Sequence, residues 1–177
     1  MGQITIGEQA APATPASGIT LYATIATPSR LHMIDDGGND RIITPWVIFP
    51  TTFTPAITFG GGNTGITYTT QVGFYEQIGG HVFAQGYIAL SNKGSSTGVV
   101  RVTGLPVTSN TTSNYFQPVF LRLDVMSSIS GYIQGFISTN ATEFRIEHLG
   151  TGTAAELTHA NFNNTSNIMF KAIYAAA

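Results

Sequence analysis

The sequence contains no cysteine, so disulfides, thiol nucleophiles and thiolate metal sites are all excluded, and the redox compartment leaves no mark on it. Charge is almost as scarce. Only 9% of the 177 residues are Asp, Glu, Lys or Arg, against about 25% in an average soluble domain. Seven Lys and Arg against nine Asp and Glu give a formal net charge of −2. That balance lacks the basic footprint of a nucleic-acid binder. Too few Glu, Lys and Arg remain for a coiled coil. No apolar run approaches the roughly 18 residues of a membrane-spanning helix. The opening Met1-Gly-Gln-Ile-Thr-Ile6 has neither the basic nor the apolar region of a secretory leader. The expectation is a chain made in the cytoplasm, with neither nucleic acid nor membrane as a partner.

What the chain does have is aromatic and small. It carries 11 Phe, 7 Tyr and 20 Gly, and 42% of its residues are hydrophobic. That excludes a disordered chain, which is poor in aromatics. Thr, Ser, Asn and Gly supply the polarity that charge does not. In so Thr-rich a chain, the glycosylation-like triplets at Asn110, Asn140 and Asn163 read as chance.

The first 45 residues differ from the rest. Ala10 to Gly18 (AAPATPASG) has two prolines and no bulky side chain, and Pro with its preceding residue favours extended backbone. The segment reads as an arm. If all of the first 45 residues were extended at about 3.3 Å per residue, they would reach on the order of 150 Å. Ile19 to Ile25 and Arg30 to Ile34 are short strand patterns, and Asp35-Asp36-Gly37-Gly38 turns the second into Arg41-Ile42-Ile43. Such a hairpin is too small to fold alone. Leu21, Leu31, Met33, Ile34, Ile42 and Ile43 would stand exposed on it, and exposed apolar patches mark interaction sites. Residues 46–55 form a proline-punctuated connector holding the only Trp, Trp46, which either plugs the next domain or anchors in a partner.

From Ala56 onward, strand signals follow one another with breakers about every 8–12 residues, the spacing of a sandwich or barrel. They cover 56–59, 65–71 and 73–78 as a pair, 81–91, 98–104, 116–126, 131–138, 142–149 and 168–175. In the longest, Val82, Ala84, Gly86, Ile88 and Leu90 alternate with Phe83, Gln85, Tyr87 and Ala89. No segment keeps a helical period over ten or more residues. The expected fold is all-β: a single jelly-roll-like antiparallel sandwich over 56–177, behind an N-terminal arm and hairpin over 1–45.

Several strands are apolar on both faces. Near residue 120, Val119, Leu121, Leu123 and Val125 oppose Phe116, Phe120 and Arg122; near 135, Ile133 and Ile137 oppose Tyr132 and Phe136. A lone sandwich wets one face of each strand. Phe116, Phe120, Tyr132 and Phe136 are therefore the expected interface with further copies of the chain. Low charge fits this, because interface cores are depleted in charge.

Catalytic readings fail on residue supply. His32, His81, His148 and His159 show no metal-binding spacing, and His148 reads as a packed or interface residue. Asp35 and Asp36 sit where a turn favours Asp. Glu143 and Glu147 flank Arg145 on one strand face. Gly60 to Gly65 is glycine-rich, but no Lys-Ser/Thr follows it, so it is not a phosphate loop. No enzyme activity, cofactor or metal is expected.

Two stretches carry a resemblance. Ala13 to Ile43 is similar to an N-terminal module common in tailed-phage virion proteins, in which a proline-rich peptide leads into a short strand and an Asp-Gly-tipped hairpin. Thr27-Pro28-Ser29 departs from it, standing where a tight Asp-Gly turn is usual. Phe59 to Gln71, Gly73 to Gly79 and Leu90 to Pro106 look like the jelly-roll module found behind that hairpin. The resemblance implies a homotrimer on the virion surface whose hairpin attaches it to a major capsid protein or another virion protein. The role it implies first is capsid decoration (cement). The rival is the tip of a tail fibre touching a host glycan through loops such as Ser109 to Asn114.

Overall fold

The computed structural model describes residues 8–24, 31–42, 50–150 and 152–177. The chain divides into two compact units, 1–48 and 49–177. Ile43 and Trp46 lie outside the described residues.

The first unit is a four-stranded sheet in the order β1-β2-β3-β4, with β1 at Glu8–Gln9, β2 at Ile19–Thr24, β3 at Leu31–Asp35 and β4 at Asp40–Ile42. β1 pairs parallel with β2, Glu8 opposite Ala23. The proline-rich stretch is therefore the return loop of a parallel pair, and the expected extended arm is corrected. The β3–β4 turn forms as read. Asp35 Oδ1 accepts from the Gly37 and Asn39 amides at 3.0 and 2.9 Å, which closes the turn locally.

The second unit is all-β, a jelly-roll-like antiparallel sandwich. Its strands are β5 (Thr51–Phe53), β6 (Ala56–Phe59), β7 (Ile66–Ile78), β8 (His81–Lys93), β9 (Val100–Thr103), β10 (Gln117–Met126), β11 (Tyr132–Ile137), β12 (Glu143–Leu149), β13 (Ala154–Glu156) and β14 (Phe162–Ala175). They join in one sheet, β5-β7-β8-β14-β10-β11-β12-β9-β6, with β13 beside β12. The two edges of that sheet, β5 and β6, are separated only by Thr54 and Pro55. Three residue steps span at most about 11 Å, so the sheet must curl until its edges meet. One layer is β5-β7-β8-β14-β10 and the other β11-β12-β9-β6. Their inner faces share one core in which Phe144 meets Phe170 at 5.0 Å and Phe59 meets Phe162 at 5.2 Å between ring centroids.

Three local readings are revised. Residues 51–53, read as connector, form an edge strand on β7. The pair expected over 65–78 is one 13-residue strand that runs straight through Gly73. Gly73 is opposite Gly86, and the rings of Phe53 and Phe170 lie over these two glycines. A Cβ at Gly73 would stand 2.6 Å from Phe53, and one at Gly86 2.5 Å from Phe170. Glycine here makes room for rings rather than breaking a strand.

The third revision is Val125, expected to face inward with Val119, Leu121 and Leu123. A bulge between Asp124 and Met126 turns it outward, 46% exposed and at φ +56°. Its carbonyl accepts from Ser166 Oγ at 2.7 Å and Asn163 Nδ2 at 3.0 Å, which holds the strained residue in place.

Candidate functional site

In a sheet, alternate residues point to opposite faces. The inner positions of β8 and β14 (Val82, Ala84, Ile88, Ile168, Phe170, Ala172) are buried. The outer positions are consequently Phe83, Gln85 and Tyr87 on β8, and Met169, Lys171 and Ile173 on β14. The ladders set Lys171 opposite both Gln85 and Phe120, and Met169 opposite both Tyr87 and Arg122. Phe74, Phe83, Phe120, Met169 and Ile173 thereby come together on one outer surface from four different strands, and all are exposed. Phe120 is the most prominent of them, at 69%.

Phe120 stands between two grooves. On one flank it shares a shallow depression of about 500 Å³ with Val72, Phe74, Tyr87 and Met169. On the other it borders a groove of about 690 Å³ lined by Phe116, Leu121, Ile133, Phe136 and Arg145. This second groove has a topological cause. The β10–β11 ladder holds only for Gln117–Ile137, Pro118–Phe136 and Val119–Gly135. Beyond that point β10 continues on β14 as far as Met126, while β11 continues on β12 as far as Tyr132. The two strands part where the sheet passes from one layer to the other, and the groove is the seam between them.

No family model, curated protein or solved structure matches this chain. The site is read from its own geometry.

Of the four aromatics read as an interface, the structure gathers Phe116, Phe120 and Phe136 round the seam, the rings of Phe116 and Phe136 meeting edge-on at 5.8 Å. Tyr132 lies further along β11 on the same side, 83% exposed, and does not line the groove. Phe83, Met169 and Ile173 were not singled out in the sequence. Their alternation was visible, but the register that places them beside Phe120 was not.

Among the residues lining the two grooves the charged ones are Arg122, Lys171 and Arg145, with no carboxylate. Arg122 pairs loosely with Asp124 at 3.8 Å along its own strand. Arg145 lies 4.4 Å over the Phe136 ring and donates to Ser138 Oγ at 2.8 Å. It also shares Glu156 Oε1 with Arg101, at 3.5 and 2.8 Å. The salted outer face expected around Arg145 is thus a network, completed by Glu143 at 3.5 Å from Arg101.

The histidines do not converge. Among the described residues no group of three or more His, Asp or Glu could hold a metal. His148 Nδ1 donates to the Ser130 carbonyl at 3.0 Å, and His159 Nδ1 accepts from the Gly98 amide at 3.1 Å.

The residues read as an attachment surface divide between the two faces of the first unit. Leu21 is 49% exposed and pairs with Met33 on one face. Ile34 is on the other face and only 7% exposed, so its expected exposure is corrected. Leu31 and Ile42 occupy β3 and β4. Ile34 shares its face with a polar cluster: the buried Tyr22 donates to Asp40 Oδ2 at 2.6 Å, and His32 Nδ1 lies 2.9 Å from Asp40 Oδ1. The Tyr22 hydroxyl, then His32, hold the Asp40 carboxyl below its usual range, and Asp40 in turn raises Tyr22.

Proposed function

We propose that this chain is a structural protein of a tailed-phage virion: a homotrimeric capsid decoration protein whose N-terminal sheet attaches it to a capsid subunit. The observation that carries the reading is the apolar outer face centred on Phe120. Taking about 200 Å² per large side chain, the exposed parts of Phe74, Ile78, Phe83, Phe120, Met169 and Ile173 amount to roughly 550 Å². With a polar rim, such a patch reaches the ~800 Å² per partner of a standard interface. A charge-poor surface of this kind belongs to a protein that works by packing against copies of itself. The likeness of 13–43 and 59–106 to virion modules supplies the setting, and the exposed Leu21 face supplies a contact for attachment. The tip of a tail fibre is the second reading, favoured by the exposed Tyr115 beside the polar loop 109–114.

The test is native mass spectrometry of the full chain at low micromolar concentration, beside Ile173→Asp. Each unpaired carboxylate buried in an interface costs several kcal/mol, so the variant should be monomeric where the parent is trimeric. An 18.8 kDa monomer for the parent would refute self-association. Counting copies in intact particles separates the two roles, with hundreds for decoration and a few dozen or fewer for a fibre. Leu21→Asp should stay trimeric yet fail to bind particles stripped of the protein.

A further inference from the structure

The apolar outer face of the second unit holds two charges that its own chain leaves unmatched. The ladders set Lys171 opposite Gln85, Gln85 opposite Phe74, and Phe83 opposite both Ile173 and Glu76. Alternate residues share a face, so Glu76 on β7 and Lys171 on β14 lie on one surface, with Phe83 and Gln85 of β8 between them. With Phe74 and Ile78 these residues line a groove of about 340 Å³. Neither Glu76 nor Lys171 forms an ion pair among the described residues.

The other cations of this unit all have partners. Lys93 Nζ donates to the His159 carbonyl at 3.1 Å, Arg101 and Arg145 share Glu156, and Arg122 pairs with Asp124. Lys171 is the exception, and it is exposed between Gln85 and Phe120, with Met169 and Ile173 two residues away on either side. Covering the face strips water from its ammonium, which costs heavily unless a carboxylate meets it. The same holds for Glu76. One lysine and one glutamate on an otherwise apolar face make that face complementary to itself, because a second copy brings the opposite charge for each. Glu147, the other carboxylate of this unit without an ion pair among the described residues, is on β12 in the other layer.

We propose that Lys171 of one copy pairs with Glu76 of another across this face. The aliphatic stem of the lysine lies along Phe74 and Phe83 of the second copy, and its ammonium reaches the carboxylate at the margin of the groove. Apolar contact alone is non-directional. The ion pair supplies what it lacks, a fixed register of one face on the other and rejection of alignments that bring like charges together. The inference rests on the self-association reading and deepens it, naming the two side chains that set how the copies meet.

The test is charge reversal in the full chain, with the association constant read by analytical ultracentrifugation at physiological salt. Lys171→Glu and Glu76→Lys should each weaken assembly at least about a hundredfold, because each sets like charges opposite one another. Combined in one chain they restore the attraction with its sign reversed, and assembly should return to within about tenfold of the parent. Glu147→Lys should leave assembly unchanged on its own and should not rescue Lys171→Glu. An oligomeric parent whose single variants assemble as well as it does would overturn the pair alone. So would a double variant no better than the singles, or rescue by Glu147→Lys. A monomeric parent would overturn the self-association reading and the pair with it.

Discussion

Gly86→Ala is a single methyl placed where the sandwich has no room. The new Cβ would lie 2.5 Å from Cε1 and Cζ of Phe170 and 3.2 Å from the Val72 carbonyl. Phe170 cannot swing aside, because Phe144 stands 5.0 Å away and Phe53 6.4 Å away between ring centroids. Overpacking of this kind costs about 1–3 kcal/mol, and the rigid ring places it near the upper end. For a sandwich of this size, about 2–3 kcal/mol lowers Tm by roughly 6–12 °C. Gly80→Ala is the control: its Cβ would meet nothing within 4 Å, and its φ is not positive. That change should stay within about 0.5 kcal/mol. The decisive measurement is a double-mutant cycle by urea denaturation. Phe170→Leu alone opens a cavity costing about 1–2 kcal/mol, but combined with Gly86→Ala it also relieves the clash. The double variant should then be more stable than the sum of the singles by at least about 1 kcal/mol. Strict additivity would show that Phe170 and Gly86 do not share this space, and the account of the glycine pair would fall.

Two further outcomes are expected. Val125→Gly should leave Tm unchanged or raise it, because the φ of +56° costs a β-branched residue about 1–2 kcal/mol and little packing is lost at so exposed a site; a fall of several degrees would mean that Val125 is not strained. The first unit should open on acidification before the sandwich does. Asp35, held down chiefly by the Asn39 side chain, and Asp40, held down chiefly by Tyr22, both have folded pKa values below the ordinary one. Their contribution is complete above the ordinary carboxylate value near 4 and is lost as pH falls from there through the folded values. Hydrogen exchange over 19–42 should rise below about pH 4, and Asp40→Asn should flatten that response.

The sequence by itself determined the strands and the sidedness of most of them. Alternation in 81–91 set Val82, Ala84, Ile88 and Leu90 apart from Phe83, Gln85, Tyr87 and Ala89; the first four are buried and Phe83 is exposed, while Ala89 is buried as well. The Asp-Gly-Gly turn followed from residues whose own side chains close it. These are local facts, decided by a period of two and by turn chemistry. What neighbouring strands contribute was not legible. Gly73 read as a break because a glycine in a strand looks the same whether it ends the strand or lets Phe53 lie across it. Val125 read as inner because the bulge that turns it out depends on Ser166 and Asn163, about forty residues away. The arm read as extended because nothing in its prolines announces that Glu8 pairs back onto Ala23. The site followed the same rule. Phe120 was visible as an outward aromatic, but Met169, Lys171 and Tyr87 became its neighbours only through the order β8-β14-β10. The seam exists because the sheet must curl to bring β5 to β6, and that closure is a property of the whole sheet and of no single strand.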